Sequence, residues 1–322
     1  MTPGAFRLLQ CLADAGPLDG ARYAAEAGIS SAAVANDIER LRAAGLPVLV
    51  MRGGEYRLAW PIELLDADRV RREGQLRNIG VEVHPCIDST NDALVECFRH
   101  RHAVLAEYQT AGRGRRGRSW ISPPGCGLSI SLGFRFGHGL QRLTTLSLIA
   151  GVAAAETLAG EGVAVGLKWP NDLVVGHRKL GGLLVEIRGT GTGPSKVVIG
   201  LGVNARLPRA GQASGEYAPP DQPWTDLYRF TGRRPDRNRL AGRLIAAMDA
   251  ACREFEHAGF EPFASRWAAL DALQGRRVRV NAGHQTVVEG RAEGVTGSGR
   301  LRVAAGAQTA ELDAGEVSVR AE

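Results

Sequence analysis

The run Gly112-Arg113-Gly114-Arg115-Arg116-Gly117-Arg118, closed by Trp120, packs four guanidinium groups and three glycines into seven residues. It follows the apolar run Ala103-Val104-Leu105-Ala106 and precedes an alternating stretch, so it reads as a loop between two strands. Such a loop can bring backbone N–H groups and planar charged forks up to a small anion. A solvated basic loop, or an arginine-glycine segment that adheres to nucleic acid, is the competing reading. Segments of that second kind are long and repetitive, and this one is short and single. Trp120 offers either a flat face for a purine or ordinary core packing.

Three further clusters carry chemistry-bearing residue types. Asp88-Ser89-Thr90-Asn91 opens a helix containing Ala93, Leu94 and Phe98; it is a plain N-cap or a set of short donors and acceptors for a polar head group. Gln109, just ahead of the Gly/Arg loop, could join that set. Lys168-Trp169-Pro170-Asn171-Asp172 combines a base, an aromatic, an amide and an acid. Proline after Trp169 favours extended backbone, from which Asn171 and Asp172 could reach a phosphate-bound Mg²⁺, or the segment is a turn before a strand. In Arg178-Lys179-Leu180-Gly181-Gly182-Leu183-Leu184-Val185-Glu186 two glycines interrupt a strand, which points to close ligand approach or a bulge. Lys179 beside them is a compact cation for a carboxylate or phosphate, or a surface lysine. Gly200-Leu201-Gly202-Val203-Asn204 has the same character.

The elements that must position these residues divide the chain into three units. Residues 1–62 read as three short helices and a hairpin, the pattern of a winged helix-turn-helix. Phe6, Leu8, Leu9, Leu12 and Ala13 give the first helix. Residues 20–27 give the second, closed by Gly28. Ser30 or Ser31 caps the third, in which Val34, Ile38, Leu41 and Ala44 recur. Two apolar runs flank Arg52-Gly53-Gly54-Glu55. Pro61 and the polar stretch 66–75 read as a linker.

Residues 66–272 form a mixed α/β unit. In it Leu128, Ile130, Leu132, Phe134 and Phe136 alternate with Ser129, Ser131, Gly133 and Arg135 as a half-buried strand. A helix begins near Leu143, strands are expected at 173–175, 183–187 and 197–203, and a long helix at 238–257. The Pro/Gly-rich stretch 204–226 is long enough to be disordered or functional. Residues 273–322, with short β-rich pieces and Gly-bearing turns, read as a small all-β barrel. The fold class is therefore α+β.

With 322 residues, 44% apolar content and a formal charge of +6, the chain can bury sizeable cores and favours anionic partners. No apolar run reaches the roughly 18 residues of a membrane helix, and the start lacks a signal-type pattern. A cytoplasmic protein without a membrane partner is expected. The five scattered cysteines contain no Cys-x-x-Cys and are read as reduced, mostly buried thiols, with no zinc site. His100 and His102 are read as solvated residues of a polar link.

Taken together, the Gly/Arg loop, Lys168-Trp169-Pro170-Asn171-Asp172 and Arg178-Lys179-Leu180-Gly181-Gly182 resemble the biotin–protein ligase family in order and approximate spacing, and within it the bacterial ligases that also repress the biotin operon. The resemblance spans nearly the whole chain. It implies a winged helix, a central domain of the biotin/lipoate ligase type and an SH3-like C-terminal barrel. It further implies formation of biotinyl-5′-AMP from biotin and ATP with Mg²⁺, then transfer to a lysine of a biotin carboxyl carrier protein. By similarity Ser89, Thr90, Asn91 and Gln109 hold the biotin head group. Arg113, Gly114 and Arg115 line the loop over tail and phosphate, while Lys179 meets the carboxylate and Trp120 borders adenine. Lys168, Asn171, Asp172, Gly182, Asn204 and Arg320 serve the phosphate, Mg²⁺ and nucleotide side. Lys179, Arg115 and Asp172 are the catalytic candidates, with Asp172 the metal ligand and helper of the incoming amine. A lipoate or octanoyl transferase shares the central fold and is disfavoured by the Lys168–Asp172 segment and the C-terminal unit.

The resemblance also implies operator DNA as a partner and a ligand-promoted homodimer. Ser31, Asn36, Arg40 and Arg52 are the DNA-facing candidates. The third helix is poor in cations, and Asp37 and Glu39 are read as exposed, so that Asp37 would repel the phosphate backbone. A ligase with a vestigial winged helix and a ligand-sensing regulator without ligase activity are the alternatives.

Overall fold

The computed structural model describes residues 1–137, 139–189, 192–209, 223–282, 285–315 and 317–321. The N-terminal unit contains α1 (Pro3–Ala15), β1 (Leu18–Asp19), α2 (Gly20–Ala27), α3 (Ser31–Ala43), β2 (Val48–Val50) and β3 (Glu55–Leu58). Thr2, Asp19 and Ser30 cap the three helices by accepting backbone N–H bonds, and Gly28 ends α2 in the left-handed region at φ 65°. The strands pair antiparallel in the order β1-β3-β2.

The stretch 66–75 is not a linker. It folds as α4 (Ala67–Glu73), capped by Asp66 and anchored by the buried Val70. Beyond it follow β4 (Gly80–His84), α5 (Thr90–Glu96), β5 (His102–Ala106), β6 (Gly127–Phe136), α6 (Leu146–Ala159), β7 (Gly166–Lys168), β8 (Asp172–Val175), β9 (Arg178–Gly189), β10 (Ser195–Asn204), α7 (Leu227–Thr231), α8 (Arg237–Ala258) and α9 (Glu261–Leu270). The sheet order is β4-β5-β6-β10-β9-β8-β7, with β4 and β5 parallel and the other pairs antiparallel.

One face of this sheet packs on α6 and α8. α6 is apolar all round and correspondingly buried, including Leu146, Ile149, Val152 and Leu158. The other face carries α5, which forms a small core of Leu94, Val104 and Val198. β6 is therefore covered on both sides: Ser129 and Ser131 are buried, where the alternation predicted a half-exposed strand.

The C-terminal unit is β11 (Arg277–Ala282), β12 (Gln285–Val295), β13 (Leu301–Ala305), β14 (Gln308–Leu312) and β15 (Val317–Ala321). These strands form an antiparallel sheet in the order β14-β13-β12-β11-β15, with no pairing between the edge strands β14 and β15 among the described residues. The expected closed barrel is thus seen as a five-stranded sheet. It is tied to the central unit where Trp169 Nε1 donates to Gly299 O at 3.0 Å and Thr144 Oγ1 to Ser298 O at 3.0 Å.

The N-terminal core is not confined to the first sixty residues: Cys126 and Leu207 are buried in it, and Trp224 packs against it. Arg206, next to Leu207, lies over the Trp60 ring at 4.4 Å and the Tyr228 ring at 3.8 Å. A buried pair, Arg237 with Glu107 at 3.0 Å, fastens the start of α8 behind this junction.

α4 and α8 touch backbone to backbone. A Cβ on Gly242 would stand 2.6 Å from Gly74 N and 2.9 Å from its Cα. Gly242→Ala therefore forces the helices apart, and we expect a loss of about 1–3 kcal/mol in urea unfolding. An unchanged midpoint would show that the helices can separate freely.

Candidate functional site

The polar end of the site is built on α5. Ser89 caps the helix by accepting from Asp92 N at 3.3 Å. Gln109 Oε1 accepts from Thr90 N at 2.8 Å and Thr90 Oγ1 at 3.1 Å, while its Nε2 donates to Ser129 Oγ at 3.2 Å. Ser131 Oγ lies 2.7 Å from Thr90 Oγ1 and 2.6 Å from Asn91 Oδ1. Asn91 Nδ2 donates to Glu186 Oε2 at 2.8 Å. Ser89, Thr90 and Asn91 are all buried. A Cβ on Gly200 would overlap Asn91 Oδ1, so the glycine in mid-strand admits the asparagine, the close-approach reading of that motif. Ser129 and Ser131, which the sequence marks only as the polar side of a strand, and Glu186, at the end of the Lys179 segment, also belong to this network. Small polar residues at every second position of an otherwise apolar strand were the available signal.

One step along the same sheet face the chemistry changes from neutral to charged. Lys179 Nζ lies 2.7 Å from Asp172 Oδ1, both largely buried, and 5.9 Å from the centre of the Trp120 ring. Asp172 stands opposite both Lys168 and Gly182 in register. Gly202 leaves room for the indole: a Cβ there would be 2.8 Å from Trp120 Nε1. That Nε1 is buried and has no hydrogen-bond partner, an unmet donor at the edge of a cationic site. Asn171 Nδ2 donates to Leu183 O at 2.7 Å, and its backbone N to Lys168 O at 3.2 Å. The Trp169–Pro170 bond is cis. Residues 169–171 form a turn between β7 and β8, which is the second of the two readings of this segment and not the extended one.

Burial lowers the Lys168 ammonium below the ordinary lysine range. Asp172 opposes that shift, and Lys179, Arg118 and Arg320 add to it. Arg320, exposed on β15, is thus brought within electrostatic reach of the site. Arg115 is likewise lowered, first by burial, with Asp172 opposing. Its Nη1 reaches Asn171 Oδ1 at 3.4 Å, and its Nη2 donates to the carbonyls of Ala314 and Gly315. The Gly/Arg loop is held by Gly114 N to Arg118 O at 2.6 Å and Trp120 N to Gly112 O at 2.8 Å. Arg116 in its 3₁₀ turn has φ 62°. Arg113 lies apart from the charged end: its Nη2 bonds Asp92 and, at 3.0 Å, Glu186.

Asn204 is buried and spends its amide on Thr225 O at 3.0 Å. The Lys179 backbone pairs with Pro223 O and Thr225 N, each at 2.9 Å. Of the Pro/Gly-rich stretch 204–226, residues 210–222 lie outside the described residues.

Two expectations outside the site are corrected. His102 is on β5, largely buried, and bonds Glu82 Oε2 at 3.3 Å, while His100 Nδ1 accepts from Arg135 N at 3.0 Å. His100 is exposed, as expected, whereas His102 is not solvated, because β5 begins at His102, one residue ahead of its apolar run. Asp37 is buried, accepting from Thr2 Oγ1 at 3.0 Å and Arg40 Nη1 at 2.9 Å. It joins α1 to α3 and faces inward, and Arg40 is engaged with it. Ser31, Asn36 and Glu39 on α3 are exposed, as is Arg52 in the β2–β3 turn. Cys126 and Cys252 are buried, with burial pushing the Cys126 thiol up to about 12, whereas Cys97 is exposed. Among the described residues no helix is long and apolar enough to cross a membrane.

One face of the sheet thus joins a hydrogen-bonding nest to a cluster of partly buried cations, and comparison with known proteins gives this arrangement its class. Residues 83–204 match the biotin/lipoate A/B protein ligase family and residues 274–320 the biotin protein ligase C-terminal domain. The bifunctional ligase/repressor BirA of Salmonella typhimurium is 38% identical over 97% of this chain and 96% of its own length. That of Escherichia coli is 37% identical over 98% and 97%. The biotin protein ligase of Aquifex aeolicus, solved with biotin and ATP, superposes with a TM-score of 0.62 at 24% identity over 76% of this chain and 99% of that one. The chain belongs to the biotin–protein ligase family.

Lys168 offers a test of how much stability this site costs. Its lowered affinity for a proton means that burial of the ammonium opposes folding below its folded-state pKa. The opposition fades as pH rises from there toward the ordinary lysine value. Lys168→Met is expected to raise the thermal midpoint at pH 7 and to narrow its gain over the native chain at pH 10. A lower midpoint at pH 7 would mean the charge is a net stabiliser.

Proposed function

We propose that this ligase activates the carboxylate of biotin with ATP and delivers the biotinyl group to a lysine of a biotin carboxyl carrier protein. The observation that carries the reading is the adjacency of two unlike surfaces over β9 and β10, one at Gly200 and one at Gly202. The nest of Thr90, Asn91, Gln109 and Ser131 suits a neutral ureido ring. One i to i+2 step away, about 7 Å along the strands, Lys179, Lys168 and Arg115 suit a carboxylate and a phosphate.

In the first step a biotin carboxylate oxygen attacks the α-phosphorus, the bond to diphosphate breaks, and the mixed anhydride biotinyl-5′-AMP remains. Two anions must meet, and Lys179, Lys168 and Arg115 neutralise them in a largely dehydrated setting where each contact is strong. Arg113, now paired with Asp92 and Glu186, sits where the Gly/Arg loop would fold over the biotin tail, with Gly114 letting the backbone approach. Trp120 borders the adenine, with Gly182, Asn204 and Arg320 on the nucleotide side. In the second step the acceptor amine attacks the acyl carbon and AMP leaves. Asp172 is the carboxylate best placed to take the ammonium proton.

No group of three or more His, Cys, Asp or Glu is placed to hold a metal among the described residues. Asp172 and Asn171 suit Mg²⁺ that brings phosphate oxygens with it, as that ion commonly does. The ion would neutralise phosphate charge.

The N-terminal unit is read as a winged helix, with α3 in the major groove, Ser31 and Asn36 toward base edges and Arg52 on the backbone. Inward-facing Asp37 removes the repulsion that the sequence implied, which favours an operator-binding repressor, dimeric when the adenylate is bound. The C-terminal sheet is read as the SH3-like unit that presents Ala314 and Gly315 to Arg115.

Biotin-dependent exchange between diphosphate and ATP tests the ligase. Lys179→Ala and Arg115→Ala are each expected to reduce it about 100-fold or more, and no exchange by the native chain with biotin, ATP and Mg²⁺ would refute the reading. Gel retardation of DNA from upstream of biotin-synthesis genes tests the repressor. A shift strengthened by biotin plus ATP and weakened in Asn36→Ala is expected; ligation without any shift would make the winged helix vestigial.

A further inference from the structure

The central sheet carries a row of three like charges that the ligase chemistry does not use. Lys196 on β10 stands directly opposite Arg135 on β6 and directly opposite Arg188 on β9. At about 4.8 Å per strand the row spans roughly 10 Å. All three residues are exposed. None of the three forms an ion pair among the described residues, and Lys196 rests its ammonium 5.4 Å from the centre of the Phe98 ring. The nearby carboxylates are committed elsewhere. Glu186 holds Arg113 and Asn91, Glu82 holds Arg99, and Glu256 accepts from Gly137 N. Like charges directly opposed across strands weaken a sheet, and here three stand in line on its central strands.

The row shares a face with the reactive site. Alternate residues of β10 point the same way: Lys196, then Val198 beneath α5, Gly200 beneath Asn91, and Gly202 beneath Trp120. Lys196 is four residues from Gly200, about 13 Å, and six from Gly202, about 20 Å. A domain of under 100 residues, with a radius of gyration near 13 Å, spans both places at once. The DNA-facing helices lie elsewhere: the N-terminal core packs on Cys126 and Leu207, at the other ends of β6 and β10.

We propose that Arg135, Lys196 and Arg188 form the electrostatic docking strip for the protein acceptor. An acidic patch of the carrier domain sits on the row while its lysine reaches the Lys179 end of the face. This rests on the ligase reading above and adds where the acceptor is recognised. Rim charges of this kind act mainly on the association rate and its salt dependence.

The test uses the full chain carrying R135E, R188E and K196E together, with the neutral triple R135Q, R188Q and K196Q beside it. The acceptor is the purified carrier domain of acetyl-CoA carboxylase. Biotin-dependent diphosphate–ATP exchange is expected to stay within twofold of native in both variants, while KM for the carrier domain rises about tenfold in the charge-reversed variant and less in the neutral one. Raising NaCl from 50 to 300 mM is expected to raise the native KM and to leave that of the neutral variant nearly flat. An unchanged carrier KM overturns the proposal. So does a parallel fall in exchange, which would give the row a structural role, and so does lost duplex-DNA affinity with carrier KM intact. Exchange by the native chain reports on the ligase reading by itself, independently of the row.

Discussion

The constraint on which this structure turns is the crowding of cations around one carboxylate. Lys168, Lys179 and Arg115, all partly buried, gather where Asp172 is the balancing acid, with the exposed Arg118 and Arg320 within electrostatic reach. Like charges at low exposure repel and lose solvation, so their positions must be imposed by the scaffold. The means are visible. The β8–β9 pairing fixes Asp172 against Gly182, a tight turn fixes Asn171, backbone pairing on both sides of Lys179 fixes its strand, and carbonyls of the C-terminal unit hold Arg115. Three separate parts of the chain thus share one electrostatic load.

The neutral end obeys a different rule. There, buried polar atoms are satisfied by one another, from Gln109 through Thr90, Ser131 and Asn91 to Glu186. Such a network holds its members in a single arrangement, and Gly200 is the vacancy that lets Asn91 into it. Preorganised neutral groups suit discrimination of a head group, whereas strained charges suit catalysis. The strands place the two side by side.

Much of this was legible in the residues. Caps, glycine stops and long apolar periods located α1, α2, α3, α8 and the main strands, and the loop, Lys168–Asp172 and Lys179 segments lie near one another in the structure. What escaped did so for physical reasons. α4 has one deeply buried residue, Val70, in seven, too few to show a period. β4 and β7 are short, and α9 is capped by no side chain. Asp37 was read by its charge, although with Val34, Ile38 and Leu41 it lies at i, i+3, i+4 and i+7 of the buried stripe. Its partner Thr2 is 35 residues away, which local pattern cannot supply. The pairing of Arg113 with Asp92 and Glu186, 21 and 73 residues away, is likewise beyond the reach of local pattern.

The junction at Arg206 gives the boundary drawn near residue 62 a different meaning. Leu207 and Cys126 are interior residues of the N-terminal core, and Trp224, which packs against it, pairs with Lys179. One residue, Trp224, thus touches both the core of the first unit and the strand that carries Lys179. Displacing its indole would disturb the packing of that core and the pairing of Lys179 together. The N-terminal unit and the charged end of the site are therefore joined through a shared hydrophobic core.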